Sequence, residues 1–419
     1  MSWPQMKLES LASRERYSFV GGPFGSKLTS RDYVDHGIPV IRGSNLNNGR
    51  YLDLTEFVYV SDSKVREDLS SNLAKPLDLV FTQRGTLGQV AIIPDDGISD
   101  RYVVSQSQMK LTVDDAKADR LFIYYYFSSR QAIERITNFT SSSGVPHINL
   151  TVLRNFEVPV PPLETQRRIA SILSAYDDLI ENNRRRIQLL EQAARLLYKE
   201  WFVHLRFPGH EHVRIMNGVP EGWAESTIAN VCTSFDDGDW IESKDQGGED
   251  YRLLQISNIG DNDFVETVNF RYITAETFRR LRCNEVVPGD ILISRMPKPI
   301  GRAWYVQEMP WRMVTVVDVT IARPNLDIAD PFYFLYHINS PNHLALCELR
   351  ATGATRPRIS RKNMGALPIL VPPLSLQRSF SETATAVSSM RHALRKQNDS
   401  LARSRDMLLP RLMNGEIAA

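Results

Sequence analysis

The chain repeats itself, and nothing else constrains its fold as tightly. Val160-Pro161-Pro162-Leu163-Glu164-Thr165-Gln166-Arg167 returns as Val371-Pro372-Pro373-Leu374-Ser375-Leu376-Gln377-Arg378. In the same register Pro146 falls on Pro357 and Ile148 on Ile359. Further upstream, with small slips, Pro76-Leu77-Asp78-Leu79-Val80-Phe81-Thr82 resembles Pro288-Gly289-Asp290-Ile291-Leu292-Ile293-Ser294. Ile38-Pro39-Val40-Ile41-Arg42-Gly43-Ser44-Asn45 likewise resembles Tyr251-Arg252-Leu253-Leu254-Gln255-Ile256-Ser257-Asn258. A repeat this long means two copies of one structural plan.

Each copy reads as a globular part followed by a helical part: 1–160 then 161–207, and 208–371 then 372–419. Short β-branched and aromatic runs broken by Gly, Pro, Asn and Asp predict strands and turns in the globular parts. Asp119 to Thr137 is predicted as a helix in the first copy, with Pro331 to Leu349 as its counterpart. Each globular copy is therefore a mixed α/β domain. In the helical parts two series recur every seven residues: Ile169, Tyr176, Asn183, Leu190, Leu197 and Leu173, Ile180, Ile187, Ala194, Trp201. That spacing is a coiled-coil seam. Phe380, Val387, Leu394, Leu401 and Leu408 continue one series in the second copy; Ala384, Arg391, Asn398, Arg405 and Leu412 form a weaker second one. The simplest burial for two such stripes is against each other, as an antiparallel pair. Asn183 is a polar seam position suited to fixing register.

Whole-chain charge carries little information. The net is +1 over 419 residues, so no global field draws in nucleic acid or an anionic membrane. Residues 12–160 carry 17 basic and 17 acidic side chains and 208–371 carry 17 and 21, so any nucleic-acid binding must be local. The N-terminus lacks the pattern of a signal peptide, and no run approaches the ~20 apolar residues of a membrane span. Cys232, Cys283 and Cys347 are too far apart for a CxxC metal site and fit thiols in a reducing cytoplasm.

Local clusters are more telling. Arg350, Arg356, Arg358, Arg361 and Lys362 lie in an acid-free stretch rich in Gly, Thr and Ser. The same place in the first copy is Thr140-Ser141-Ser142-Ser143-Gly144-Val145-Pro146-His147. Small polar loops let backbone approach phosphate closely, so Ser141, Ser142, Ser143, His147, Arg356, Arg358, Arg361 and Lys362 are candidate DNA contacts. A second candidate is the end of the Leu79–Thr82 strand, which delivers Gln83, Arg84 and Gly85, with Ser294, Arg295 and Met296 as the counterpart. Gln and Arg suit bidentate readout of adenine and guanine; pairing of the arginines with local carboxylates is the alternative. Lys27, Asn45, Asn258 and Lys298 complete the candidate DNA-binding set. Tyr198, Trp201, Phe202, Leu408, Leu409 and Leu412 exceed what a two-helix seam can bury, which points to a protein partner.

Catalytic patterns are scarce. Pro-Pro occurs only as Val-Pro-Pro-Leu, and no Walker-type phosphate loop is present. Asp236, Asp237, Asp239 and Glu242-Ser243-Lys244 read as a loop of solvated charges rather than a nuclease metal site. His210-Glu211-His212 has no third ligand at helical spacing, so no metal is expected.

The order of these features resembles the specificity subunits of type I restriction-modification systems. Gly22-Pro23-Phe24-Gly25-Ser26-Lys27-Leu28, Ile38-Pro39-Val40-Ile41-Arg42-Gly43, Trp201-Phe202 followed by Phe207-Pro208-Gly209, Gly218-Val219-Pro220-Glu221-Gly222-Trp223 and the closing Leu408-Leu409-Pro410-Arg411-Leu412-Met413-Asn414-Gly415-Glu416-Ile417 are similar to that family's phrases. The resemblance implies two α/β target recognition domains separated by two long helices packed as an antiparallel coiled coil. It implies that each domain reads half of a bipartite double-stranded DNA target. The arms would set the spacer and dock two modification (methyltransferase) subunits, which restriction (translocase-nuclease) subunits then join. No cofactor is expected in this chain: S-adenosylmethionine would belong to the methyltransferase, ATP and Mg to the restriction subunits. The rival reading is a self-contained DNA methyltransferase or nuclease fragment.

Overall fold

The structure is a computed structural model and describes residues 3–46, 49–139 and 146–418. The chain divides into two compact units, Met1–Arg184 with Leu394–Ala419, and Arg185–Ala393. Each unit thus takes one globular domain and part of each long helix.

In the first unit a four-stranded antiparallel sheet has the order Phe19–Gly21, Gln108–Leu111, Leu79–Thr82, Val90–Ile92. A second sheet joins Ile38–Ile41 to Tyr102–Val104 in parallel, with Val58–Val60 antiparallel on the other side of Ile38–Ile41. The second unit repeats the plan with different residues. Its four-stranded sheet runs Cys232–Asp237, Val319–Pro324, Ile291–Ser294, Ala303–Tyr305. Its second sheet sets Tyr251–Leu254 parallel to Arg312–Thr315 and antiparallel to Tyr272–Ile273.

The helix expected over Asp119 to Thr137 is two helices, Arg120–Ser128 and Arg130–Asn138. The break is at Ser129, whose backbone is extended and whose hydroxyl caps the N–H of Ala132. Its counterpart is likewise broken into Pro331–Ile338 and Pro341–Leu349, where Ser340 caps and Pro341 takes the first helical turn. Period alone does not reveal the break, because Phe122 to Phe127 are buried without interruption and leave no stripe whose phase could be seen to change.

The long helices are Leu163–Tyr198 and Leu374–Met413, each beginning directly after a Pro-Pro pair that cannot donate into a preceding turn. Within the first unit Asp177 pairs with Arg405, while Asn183 donates to Asn398 at 2.9 Å and to Gln397 at 3.1 Å. Within the second unit Glu191 pairs with Arg391 and Tyr198 packs on Phe380. Rising numbers on one helix meet falling numbers on the other, so the pairing is antiparallel in each unit. The polar members of the weak heptad series are therefore partners across the seam, which explains why apolar residues are absent there.

Each core takes in two helix ends. The first buries Phe81, Phe122, Phe127 and Phe156 with Leu173, Leu409, Leu412 and Met413. The second buries Trp223, Tyr333, Phe334 and Ile338 with Tyr198, Phe202 and Phe380.

Candidate nucleic-acid interface

Three segments converge where the strands of the first unit's four-stranded sheet end, forming an edge made of strand ends rather than of an outer strand. The loop after Phe19–Gly21 begins at Gly22, whose N–H donates to Gln108 O at 2.9 Å. A Cβ there would lie 1.8 Å from Ser105 O, so only glycine fits. Gln106 reaches across to the carbonyl of Leu28 at 3.2 Å and anchors the loop. Beside it, Gln83 donates its N–H to Ser107 O at 2.7 Å, and Ile148 donates to Gln83 O at 3.0 Å. Arg84 bridges to His147, and both are exposed, as is Lys27. Ser141, Ser142 and Ser143 lie outside the described residues.

The second unit builds the same edge. Gly238 N–H donates to Val319 O at 2.8 Å, and a Cβ there would meet Val316 O at 2.4 Å. Arg295 donates its N–H to Asp318 O at 2.9 Å, and Ile359 donates to Arg295 O at 3.3 Å. These bonds put Arg295 in the place of Gln83 and Met296 in that of Arg84, as the match of Pro76–Thr82 to Pro288–Ser294 aligns them; the grouping of Gln83-Arg84-Gly85 with Ser294-Arg295-Met296 is one residue out of register.

Several candidate contacts are corrected by burial. Asn45 and Asn258 are buried and spend their side chains on the backbone. Asn45 accepts from Arg42 N–H at 2.9 Å and donates to Asp53 O and Glu56 O; Asn258 accepts from Gln255 N–H at 2.8 Å and donates to Val265 O. Ser294 is buried and donates to Met296 O at 2.6 Å. Arg295 is only 3 % exposed; its guanidinium bonds Val317 O and lies 3.3 Å from Asp237. Burial also lowers its basicity. It organises the edge from beneath and cannot reach a base without leaving the core.

The outer arginines are placed differently. Arg358 pairs with Asp318 at 2.7 Å, and Arg361 bonds Phe235 O at 2.7 Å and Asp236 at 3.2 Å. Lys298 pairs with Glu348 at 2.8 Å. Arg356 and Lys362 are exposed. Asp236, Asp237 and Asp318 therefore neutralise part of the cluster, leaving Arg356 and Lys362 at its rim.

The residues expected to meet a protein partner are also corrected. Tyr198 and Phe202 are buried in the second core, with Phe202 centred 4.8 Å from Tyr333 and 5.4 Å from Phe380. Leu409 and Leu412 are buried in the first core, while Trp201 and Leu408 are half-buried. Their excess over the seam is absorbed by the domains themselves. The exposed large apolar residues of the long helix Leu163–Tyr198 are instead Ile172 and Leu179 in one unit and Leu189 and Leu196 in the other. Each directly precedes a seam residue: Ile172 and Leu179 lie before Leu173 and Ile180 of one series, Leu189 and Leu196 before Leu190 and Leu197 of the other.

No group of three or more His, Cys, Asp or Glu positioned for a metal occurs among the described residues. His210 turns its ring to Phe207 O at 2.8 Å, and Glu242 pairs with Lys244 at 2.7 Å. Cys283 and Cys347 are buried and Cys232 half-buried; none forms a disulfide. No helix among the described residues is long and apolar enough to cross a membrane.

Residues 25–192 and 220–400 match the family model of the type I restriction modification DNA specificity domain. The chain belongs to this family. The two matched stretches each take in most of one globular copy and most of the helix that follows it. The chain is 22% identical over 396 residues to the type I restriction enzyme MjaIX specificity subunit of Methanocaldococcus jannaschii, covering 92% of this chain and 88% of that one. It is 20% identical over 400 residues to the EcoKI specificity subunit of Escherichia coli, covering 92% and 83%. The fold is similar to that of a type I restriction-modification S subunit from M. genitalium, with a TM-score of 0.55 and 18% identity over 98% of this chain and 96% of the other. In this specificity-domain family member, the glycine-anchored edge is the feature built alike in both copies but furnished with different side chains.

Proposed function

We propose that this chain chooses the DNA sequence on which partner enzymes act, each specificity domain reading one half of a bipartite duplex target. One observation carries the reading: equivalent backbone positions at the two edges hold Gln83 and Arg295, Arg84 and Met296, Phe24 and Trp240. A scaffold duplicated and then varied at one edge suits two different half-sites. Arg84 and His147 in one domain, and Arg356 and Lys362 in the other, supply exposed donors for phosphates and base edges. Arg295 tunes the second edge indirectly, by holding Asp237 and Asp318.

The arms set the separation of the half-sites and dock two methyltransferase subunits, with Ile172, Leu179, Leu189 and Leu196 as the apolar contacts. Methyl transfer from S-adenosylmethionine takes place in those partners, and ATP- and Mg-dependent cleavage in restriction subunits that join them, all in the cytoplasm.

Mapping methylated bases in DNA from cells expressing this chain with its methyltransferase partner tests the proposal. A split motif is expected, and replacing residues 1–160 by a relative's domain should change one half alone. Both halves changing together, or methyl transfer by the purified chain without a partner, would overturn it.

A further inference from the structure

A large aromatic side chain left in water forgoes the stabilisation that burial would give it, so one exposed at the same place in both copies asks for an explanation. Phe24 is 83 % exposed and Trp240 is 70 % exposed. Each stands two residues after the obligatory glycine, Gly22 or Gly238, that turns the chain off the first strand of the four-stranded sheet. The surrounding residues differ, Pro23 and Gly25 in one loop, Asp239 and Ile241 in the other, yet the ring is retained. A lone exposed aromatic is ordinary surface; a duplicated one on an anchored turn is not.

The anchoring ties each ring to the edge already described. Gln106 bonds the carbonyls of Gly25 and Leu28, and the adjacent Ser107 O accepts from Gln83 and Arg84. In the second unit Asp239 N–H donates to Thr315 O at 2.8 Å, and three residues on Asp318 holds Arg358. Both loops are thus tied to the segments that carry the groups proposed to face DNA.

We infer that Phe24 and Trp240 are the base-contacting aromatic side chains of their respective domains. The inference rests on the DNA-reading function proposed above. In the groove of a duplex a ring meets base edges, and its apolar surface suits the methyl group of thymine, which needs no hydrogen-bond partner. In the first loop Lys27 follows the ring and is exposed, suited to the neighbouring phosphate. In the second loop the indole N–H faces Glu242 at 3.4 Å, and Glu242 in turn pairs with Lys244. A carboxylate beside the ring accepts from the cytosine amino group, so the second loop favours base edges over phosphate.

The test uses the full chain assembled with its methyltransferase partner, S-adenosylmethionine, and duplex libraries randomised in one half-site at a time. A wrong base pair at a contacted position of a duplex site costs ~1–3 kcal/mol, so Phe24→Ala should lose about tenfold or more of its preference at one or two adjacent positions of one half-site. The other half-site should be unchanged, Phe24→Tyr should keep the preference, and Trp240→Ala should give the mirror result. Equal weakening on every sequence, no change, or loss in Phe24→Tyr as large as in Phe24→Ala overturns the inference. A wild-type complex with no split target would instead overturn the function on which it rests.

Discussion

Gln166 accepts a hydrogen bond of 2.9 Å from the backbone N–H of Asp119, tying the start of the first long helix to the domain it leaves. Its amide nitrogen donates to Pro161 O at 2.8 Å. Gln377 repeats the arrangement with Asp330 N–H at 2.8 Å and Pro372 O at 2.8 Å. Both glutamines are buried, so the repeated Val-Pro-Pro-Leu-x-x-Gln phrase is a joint between helix and domain. Gln166→Ala strands the Asp119 N–H without a partner and should cost about 1–3 kcal/mol of stability. Urea unfolding should give Gln377→Ala a penalty of similar size; a neutral result at either site would contradict the joint.

The Glu191–Arg391 pair should be worth more broken than replaced. Arg391 is buried, Glu191 nearly so, and Arg391 also lies 3.9 Å from Asp263. Glu191→Ala leaves a buried guanidinium short of its partner, for an expected loss of about 3 kcal/mol. The double variant Glu191→Leu with Arg391→Met should recover much of it. Additive losses in a double-mutant cycle would show that the pair is not coupled.

Acid should weaken the second unit through two histidines. Burial lowers His337 to about 4 and pushes His343, whose ring centre is 5.3 Å away, well below its usual value. The unfolded chain, with histidines near ~6.5, binds protons that the folded one refuses. Stability therefore falls as pH drops from about 6.5 towards 4, by at most ~1.4 kcal/mol per pH unit for each group. Asp239, raised to about 6 by burial, acts in the opposite direction. His337→Gln isolates the first effect: its melting temperature should start lower, because the bond to Tyr198 is lost, yet decline less steeply between pH 6.5 and 4.5. Parallel curves would exclude the histidine.

Arg295 and Arg356 should separate folding from DNA contact. Arg295→Ala leaves Asp237 and Asp318 without a buried partner and should lower the melting temperature. Arg356→Ala, at an exposed position, should leave stability within ~0.5 kcal/mol. If it holds a phosphate, it should weaken binding on all sequences and reduce the salt slope by about 1. Base-specific loss in Arg356→Ala would move it from phosphate to base contact.

The duplication, the mixed α/β character of each copy and the two long helices were legible in the sequence because they rest on period and repetition, which survive in one dimension. Even the weak heptad series was informative: Asn398, Arg391 and Arg405 occupied core positions because partners waited across the seam. The break at Ser129 was not legible, since the consecutive buried residues Phe122 to Phe127 show no stripe that a break could interrupt. Depth was not legible either. Asn45, Asn258 and Arg295 have the chemistry of DNA-reading residues, and Tyr198, Phe202 and Leu412 that of a docking patch. Only the packing of each domain over its helix ends shows that their hydrogen bonds and surfaces are spent internally. Residue type determines what a side chain can do. Whether it remains available depends on which distant segments fold over it, and that is decided in three dimensions.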